Sequence, residues 1–154
     1  MTRQTSLEEA KQWLRERVRG GAECPCCQRY AKIYRRKLNS GMAAFMISTY
    51  KQTMDGNYSH IADLFNFGKT TSGTDFYLLK FWDLIEEKLN DDTEKKASGY
   101  WRTTQRGIEF ALGELEVMSH VKMYGGKGLT FDGKLTDIET CLGKKFSYPE
   151  LMKE

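Results

Sequence analysis

Proline and histidine are scarce: the 154 residues hold two of each. With so little proline, glycine and short polar clusters must punctuate the chain. His60 and His120 are isolated in sequence, so no catalytic constellation can be assembled around either, and we expect a protein that is not an enzyme. No apolar run approaches the roughly twenty residues of a membrane helix, and nothing has the form of a signal peptide. A soluble, cytoplasmic protein with no membrane partner is the expectation. The four cysteines, three of them inside one tetrapeptide, do not form the spaced set of an extracellular disulfide framework. Acidic residues are missing altogether between Cys24 and Met54, where Arg29, Lys32, Arg35, Arg36, Lys37 and Lys51 stand. The net charge of +3 is too small to argue a partner, but this uneven distribution is informative. A hydrophobic content of 40% with 12% aromatics excludes wholesale disorder and suits one domain with a small appendage.

Ser6 and Glu9 form a capping box ahead of Leu7, Ala10, Leu14 and Val18, which recur on one helical face until Gly20-Gly21. A tight turn follows at Cys24–Cys27, then a short strand or extended arm around Ala31–Arg35. Helices are expected near 40–53, 59–65 and 72–82. The first carries a stripe of Met42, Phe45, Met46 and Tyr50, the second is capped by Ser59, and the third by Thr71 or Ser72. Strands at 84–88 and 100–103 flank the charged tip Asn90–Gly99, and a helix follows at 104–115. Helix, strand, charged hairpin, strand, helix is the wiring of a module that lays one helix in a DNA groove. Near the end, 120–124 and 129–131 suit a hairpin around Gly125–Gly128, and Thr136 caps a short helix closed by Gly143. The fold expected is therefore α+β, a winged helix-turn-helix with an N-terminal helix and a small C-terminal hairpin and helix. Its parts are 1–38 (helix, cysteine turn, basic arm), 39–115 (winged helix) and 116–154 (extension packed on the same core).

Several residues carry candidate chemistry. On a recognition helix at 72–82, Thr70, Thr74, Tyr77 and Lys80 would face outward, with Lys69 and the helix start placed for a phosphate. Lys95 and Lys96 on the wing could touch the DNA backbone, although Asp75, Asp91, Asp92 and Glu94 oppose it. Arg35-Arg36-Lys37 is the sharpest local positive charge and suits phosphate contact by counterion release, against the plainer reading of a solvated strand edge. Cys24 and Cys27 have zinc-knuckle spacing, but tetrahedral zinc needs four ligands and no second pair exists. Free thiols and no cofactor are expected, with structural zinc the alternative if Cys26, His60, His120, Cys141 or a second chain completes the set. Gly125-Gly126-Lys127-Gly128 reads as a hairpin turn, since it lacks the Ser/Thr and strand-to-helix setting of a phosphate loop.

Phe81-Trp82-Asp83-Leu84-Ile85-Glu86-Glu87 and Tyr100-Trp101-Arg102-Thr103-Thr104-Gln105-Arg106-Gly107 resemble the helix-to-strand junction and second wing strand of MarR-like winged-helix regulators. The resemblance covers about residues 40–115. Where that family has glycine this chain has Asp83, a residue that tolerates a left-handed backbone. More loosely, the chain resembles a family from phages and bacteria without an established activity, in which a Cys-Pro-x-Cys turn precedes a stretch like Tyr34–Leu38 and Leu142–Phe146 lies near the end. The resemblance implies a non-enzymatic duplex-DNA-binding regulator of phage or prophage origin, acting in a bacterial cytoplasm as a homodimer. The alternative is a phage protein-interaction module that grips or inhibits a host protein through the same scaffold.

Overall fold

The computed structural model describes residues 6–68, 75–90, 98–125 and 127–153. In chain order the elements are α1 (Leu7–Arg17), β1 (Ala22–Glu23), β2 (Tyr30–Ala31), β3 (Tyr34–Lys37), α2 (Ser40–Gln52), β4 (Ser59–His60), α3 (Ile61–Gly68), a 3-10 helix (Asp75–Trp82), β5 (Ile85–Glu87), β6 (Tyr100–Thr103), α4 (Gln105–Ala111), β7 (Val117–Tyr124), β8 (Lys127–Thr136), α5 (Ile138–Leu142) and α6 (Tyr148–Met152). This is an α+β chain with small antiparallel sheets. It divides into two units, one ending at Lys37 and taking up His120–Gly133, the other formed by Leu38–Ser119 and Lys134–Glu154. The expected boundary at 38/39 lies one residue from a division. The expected C-terminal extension does not stay together, because most of its hairpin joins the N-terminal unit.

The larger unit is built around α2. Asn39 caps it, its Oδ1 accepting the Met42 N–H at 2.8 Å. Eight consecutive residues, Met42 to Thr49, are buried, which is the pattern of a helix enclosed on all sides rather than one with a single inner stripe. Leu64, Leu79, Trp82, Leu84, Trp101, Phe110 and Ile138 supply the surrounding core. The buried hydroxyls are all engaged: Ser48 Oγ donates to the Leu64 carbonyl at 2.6 Å, and Thr53 Oγ1 donates to the Thr49 carbonyl and accepts the Thr103 N–H. Tyr148 reaches the Ala111 carbonyl at 2.6 Å, and burial pushes its phenol up from the ordinary range. A three-stranded sheet with order β4-β6-β5 lies in the same unit, and Ile85 pairs with Thr103, Glu86 with Arg102 and Glu87 with Trp101. The two expected strands on either side of the charged tip are thus paired.

Three expectations change here. The helix foreseen at 72–82 is, over its described residues, a 3-10 helix beginning at Asp75, while 72–74 lie outside the described residues. At three residues per turn, side chains stack in rows. Leu79 with Trp82 and the adjacent Leu78 are buried, while Tyr77, Lys80 and Asp83 form the exposed row. Ser59 does not cap the next helix. It pairs in β4, and His60 Nδ1 instead accepts the Ala62 N–H at 3.1 Å. Nor does Thr136 cap α5. It ends β8, and the neighbouring Asp137 accepts the Thr140 N–H at 2.9 Å, with Gly143 closing the helix at φ 60°.

In the smaller unit Ser6 caps α1, accepting the Glu9 N–H at 3.2 Å. Of the expected inner face only Ala10 is buried; Leu14 and Val18 are half-buried, and Leu7 is exposed. β1 and β2 form a two-stranded hairpin with the cysteine turn between them. The basic arm is a strand: β3 pairs antiparallel with β7, and β8 lines the other side of β7. Among the described residues no helix is long and apolar enough to cross a membrane.

Candidate nucleic-acid interface

The β3–β7 register decides what the basic run can do. Arg35 lies opposite Lys122 and Lys37 opposite His120, while Tyr34 and Arg36 lie opposite Met123 and Val121. Residues directly opposed share a face and neighbours along a strand alternate. Arg35, Lys37, His120 and Lys122 therefore occupy one face of the sheet. Arg36 occupies the other, with the buried Val121 and Met123. The run of three cations is split, and the sequence reading missed the two basic partners that β7 adds. A strict alternation His120, Val121, Lys122, Met123 was the only signal that could have shown them.

A carboxylate enters this face. Asp132 pairs with Arg35, and the Gly133 backbone N–H, then the Arg35 guanidinium, hold its carboxyl below the usual range. Burial pushes His120 down from its ordinary value of 6.5, and Arg35 and Lys37 push the same way against Asp132. His120 thus favours its neutral form. Beside the basic face a cleft of about 340 Å³ is lined by Arg19, Ile33, Arg35, Lys122, Thr130 and Asp132. A second, more apolar cavity of about 310 Å³ lies against α1, lined by Lys11, Leu14, Arg15, Val18, Tyr124 and Leu129.

In the larger unit Tyr77 and Lys80, two of the expected DNA contacts, are both exposed on the outer row of the 3-10 helix, with Lys80 Nζ 5.8 Å from the Tyr77 ring centroid. Lys69, Thr70, Thr74, Lys95 and Lys96 lie outside the described residues. The ribbon of β5 and β6 adds little free positive charge. Arg102 is bound to Glu86, donates to the Gly56 carbonyl at 3.0 Å and stacks 4.4 Å over Tyr58. Trp101 is buried and Tyr100 exposed, as alternation on one strand requires. Lys51, counted among the acid-free cations, donates to the Leu151 and Lys153 carbonyls at the end of α6.

The cysteine turn is ordered by its backbone. The Cys24 N–H donates to the Arg29 carbonyl at 2.8 Å and Gln28 N–H to the Cys24 carbonyl at 2.9 Å, with Gln28 at φ 65°. The N–H groups of Cys27 and Cys26, and their thiols, point at Cys24 Sγ and hold its thiol below the ordinary value. Among the described residues no group of three or more His, Cys, Asp and Glu side chains is arranged to hold a metal ion. No family model, no curated protein and no solved structure matches the chain.

Proposed function

We propose that this protein binds duplex DNA without catalysing a reaction, as a regulator built on a winged helix-turn-helix. The observation that carries the reading is the basic sheet face, where Arg35, Lys37 and Lys122 gather beside a His120 that favours its neutral form, with Asp132 opposing them. Cations fixed on a strand pair gain by releasing counterions from phosphates, whatever the base sequence. The order α2, β4, α3, 3-10 helix, β5, β6 supports a winged helix, with Tyr77 and Lys80 presented for groove contact and the β5–β6 ribbon as the wing.

A gel shift on random duplex DNA with a salt titration tests the reading. Binding should weaken steeply as salt rises, and Lys37→Ala and Lys122→Ala should each reduce the logarithmic salt slope by about 1. Arg36→Ala, on the other face, should change it far less, and Asp132→Asn should strengthen binding by removing the opposing charge. Absence of binding at low salt retires the proposal. One observation favours the rival, a protein-interaction module: the apolar cavity beside α1 offers Leu14, Val18, Ile33 and Leu129 to an apolar side chain rather than to phosphate.

A further inference from the structure

We infer that the hairpin formed by β1 and β2 is a metal clip, in which Cys24 and Cys27 of two copies of the chain share one zinc ion. Strands β1 and β2 carry the turn at their tip, with Cys26 and Cys27 exposed and Cys24 half-buried. A two-residue spacing lets both sulfurs meet one ion, as in zinc knuckles. The backbone already holds that conformation: Gln28 takes the left-handed geometry that closes the turn, and amide hydrogens are aimed at Cys24 Sγ. A turn shaped in advance loses little conformational freedom when the ion binds.

The same turn cannot complete a tetrahedral zinc site alone. Zinc in structural sites takes four ligands, and among the described residues no third or fourth partner accompanies the pair. Of the soft donors outside the turn, His60 Nδ1 accepts the Ala62 N–H, and Cys141 Sγ lies 3.5 Å from Thr136 Oγ1. His120 shares its sheet face with Arg35 and Lys37, whose charges repel a divalent cation. A second copy related by a two-fold axis brings the missing pair, and a closed two-fold contact is the commonest way for identical chains to meet. Charge also balances. Four thiolates around one divalent ion leave two negative charges, and Arg29, whose carbonyl receives the Cys24 N–H, brings one positive charge from each copy.

Zinc titration of the purified full chain under a phosphine reductant tests the clip, because it is independent of the DNA reading and needs no DNA. We expect one zinc bound per two chains, with sedimentation shifting from monomer to dimer on zinc addition and back on chelation. Cobalt in place of zinc should show the charge-transfer and d–d bands of a tetrahedral thiolate site. Cys24→Ser and Cys27→Ser should lose both the metal and the metal-dependent dimer, while Cys26→Ser, whose backbone N–H is retained, should keep both. Unchanged circular dichroism separates these losses from misfolding. One zinc held by a monomer, no zinc bound, or a dimer that persists after chelation in Cys24→Ser overturns the inference.

Discussion

Gly107 stands third in α4, where its N–H donates to Thr104 Oγ1 at 3.0 Å. A Cβ there would lie 2.0 Å from the Leu84 carbonyl oxygen, 2.6 Å from Thr103 Cγ2 and 2.9 Å from Met46 Cε. The Leu84 oxygen cannot simply withdraw, since it accepts the Thr104 N–H at 3.1 Å. Gly107→Ala should therefore cost about 3 kcal/mol, the upper end of what overpacking a core usually costs. Urea denaturation measures it: the midpoint should fall with the slope unchanged. A loss below about 0.5 kcal/mol, the level of an ordinary surface change, would show that α4 can move. That Gly107 lies in a helix was legible from sequence. The need for glycine was not, because the atoms it avoids come from β6, α2 and the Leu84 backbone.

At the scale of elements, the junction between the 3-10 helix and β5 turns on Asp83, whose φ is 59°. Its N–H bonds to the Lys80 carbonyl at 3.0 Å and its own carbonyl accepts the Thr104 hydroxyl. Aspartate tolerates this region better than most residues, yet glycine adopts it at no steric cost. Asp83→Gly should be neutral or stabilising by up to about 1 kcal/mol, and Asp83→Val should lose about 1–2 kcal/mol. Thermal unfolding of the two variants checks the order, and equal melting temperatures would remove backbone strain from the account. The left-handed position itself follows from the sequence. Whether the preceding turn is α or 3-10 does not, since Phe76 to Trp82 fits either period until packing selects two inner rows. Likewise α2 reads as amphipathic because alanine, serine and threonine look neutral. Their burial depends on the elements packed around the helix, among them α3, α4, α5, β6 and the 3-10 helix.

For the molecule as a whole, acid is the informative stress. Burial first, then Arg35 and Lys37, lower the His120 pKa in the folded chain, so the unfolded chain takes up its proton at higher pH. The contribution of His120 to stability should thus be constant above the ordinary value of 6.5 and fall as pH drops below it, until the folded histidine also protonates. Asp132 acts lower down: its depressed carboxyl, held by Gly133 and then Arg35, contributes fully above 3.8 and is lost as pH falls through the folded value. His120→Gln should flatten the first decline while leaving the second, as read from melting temperatures across the acid range. An unchanged first decline would place its origin in other groups.

Sequence alone determined the local rules: the cap at Ser6, the alternation of Tyr100 and Trp101, and the tolerance of Asp83 for a left-handed backbone. These depend on neighbours within a few residues. Tertiary structure alone decided that Lys122 and His120 join the face of Arg35 and Lys37. A strand's register is set by its pairing partner, and here that partner lies more than eighty residues away.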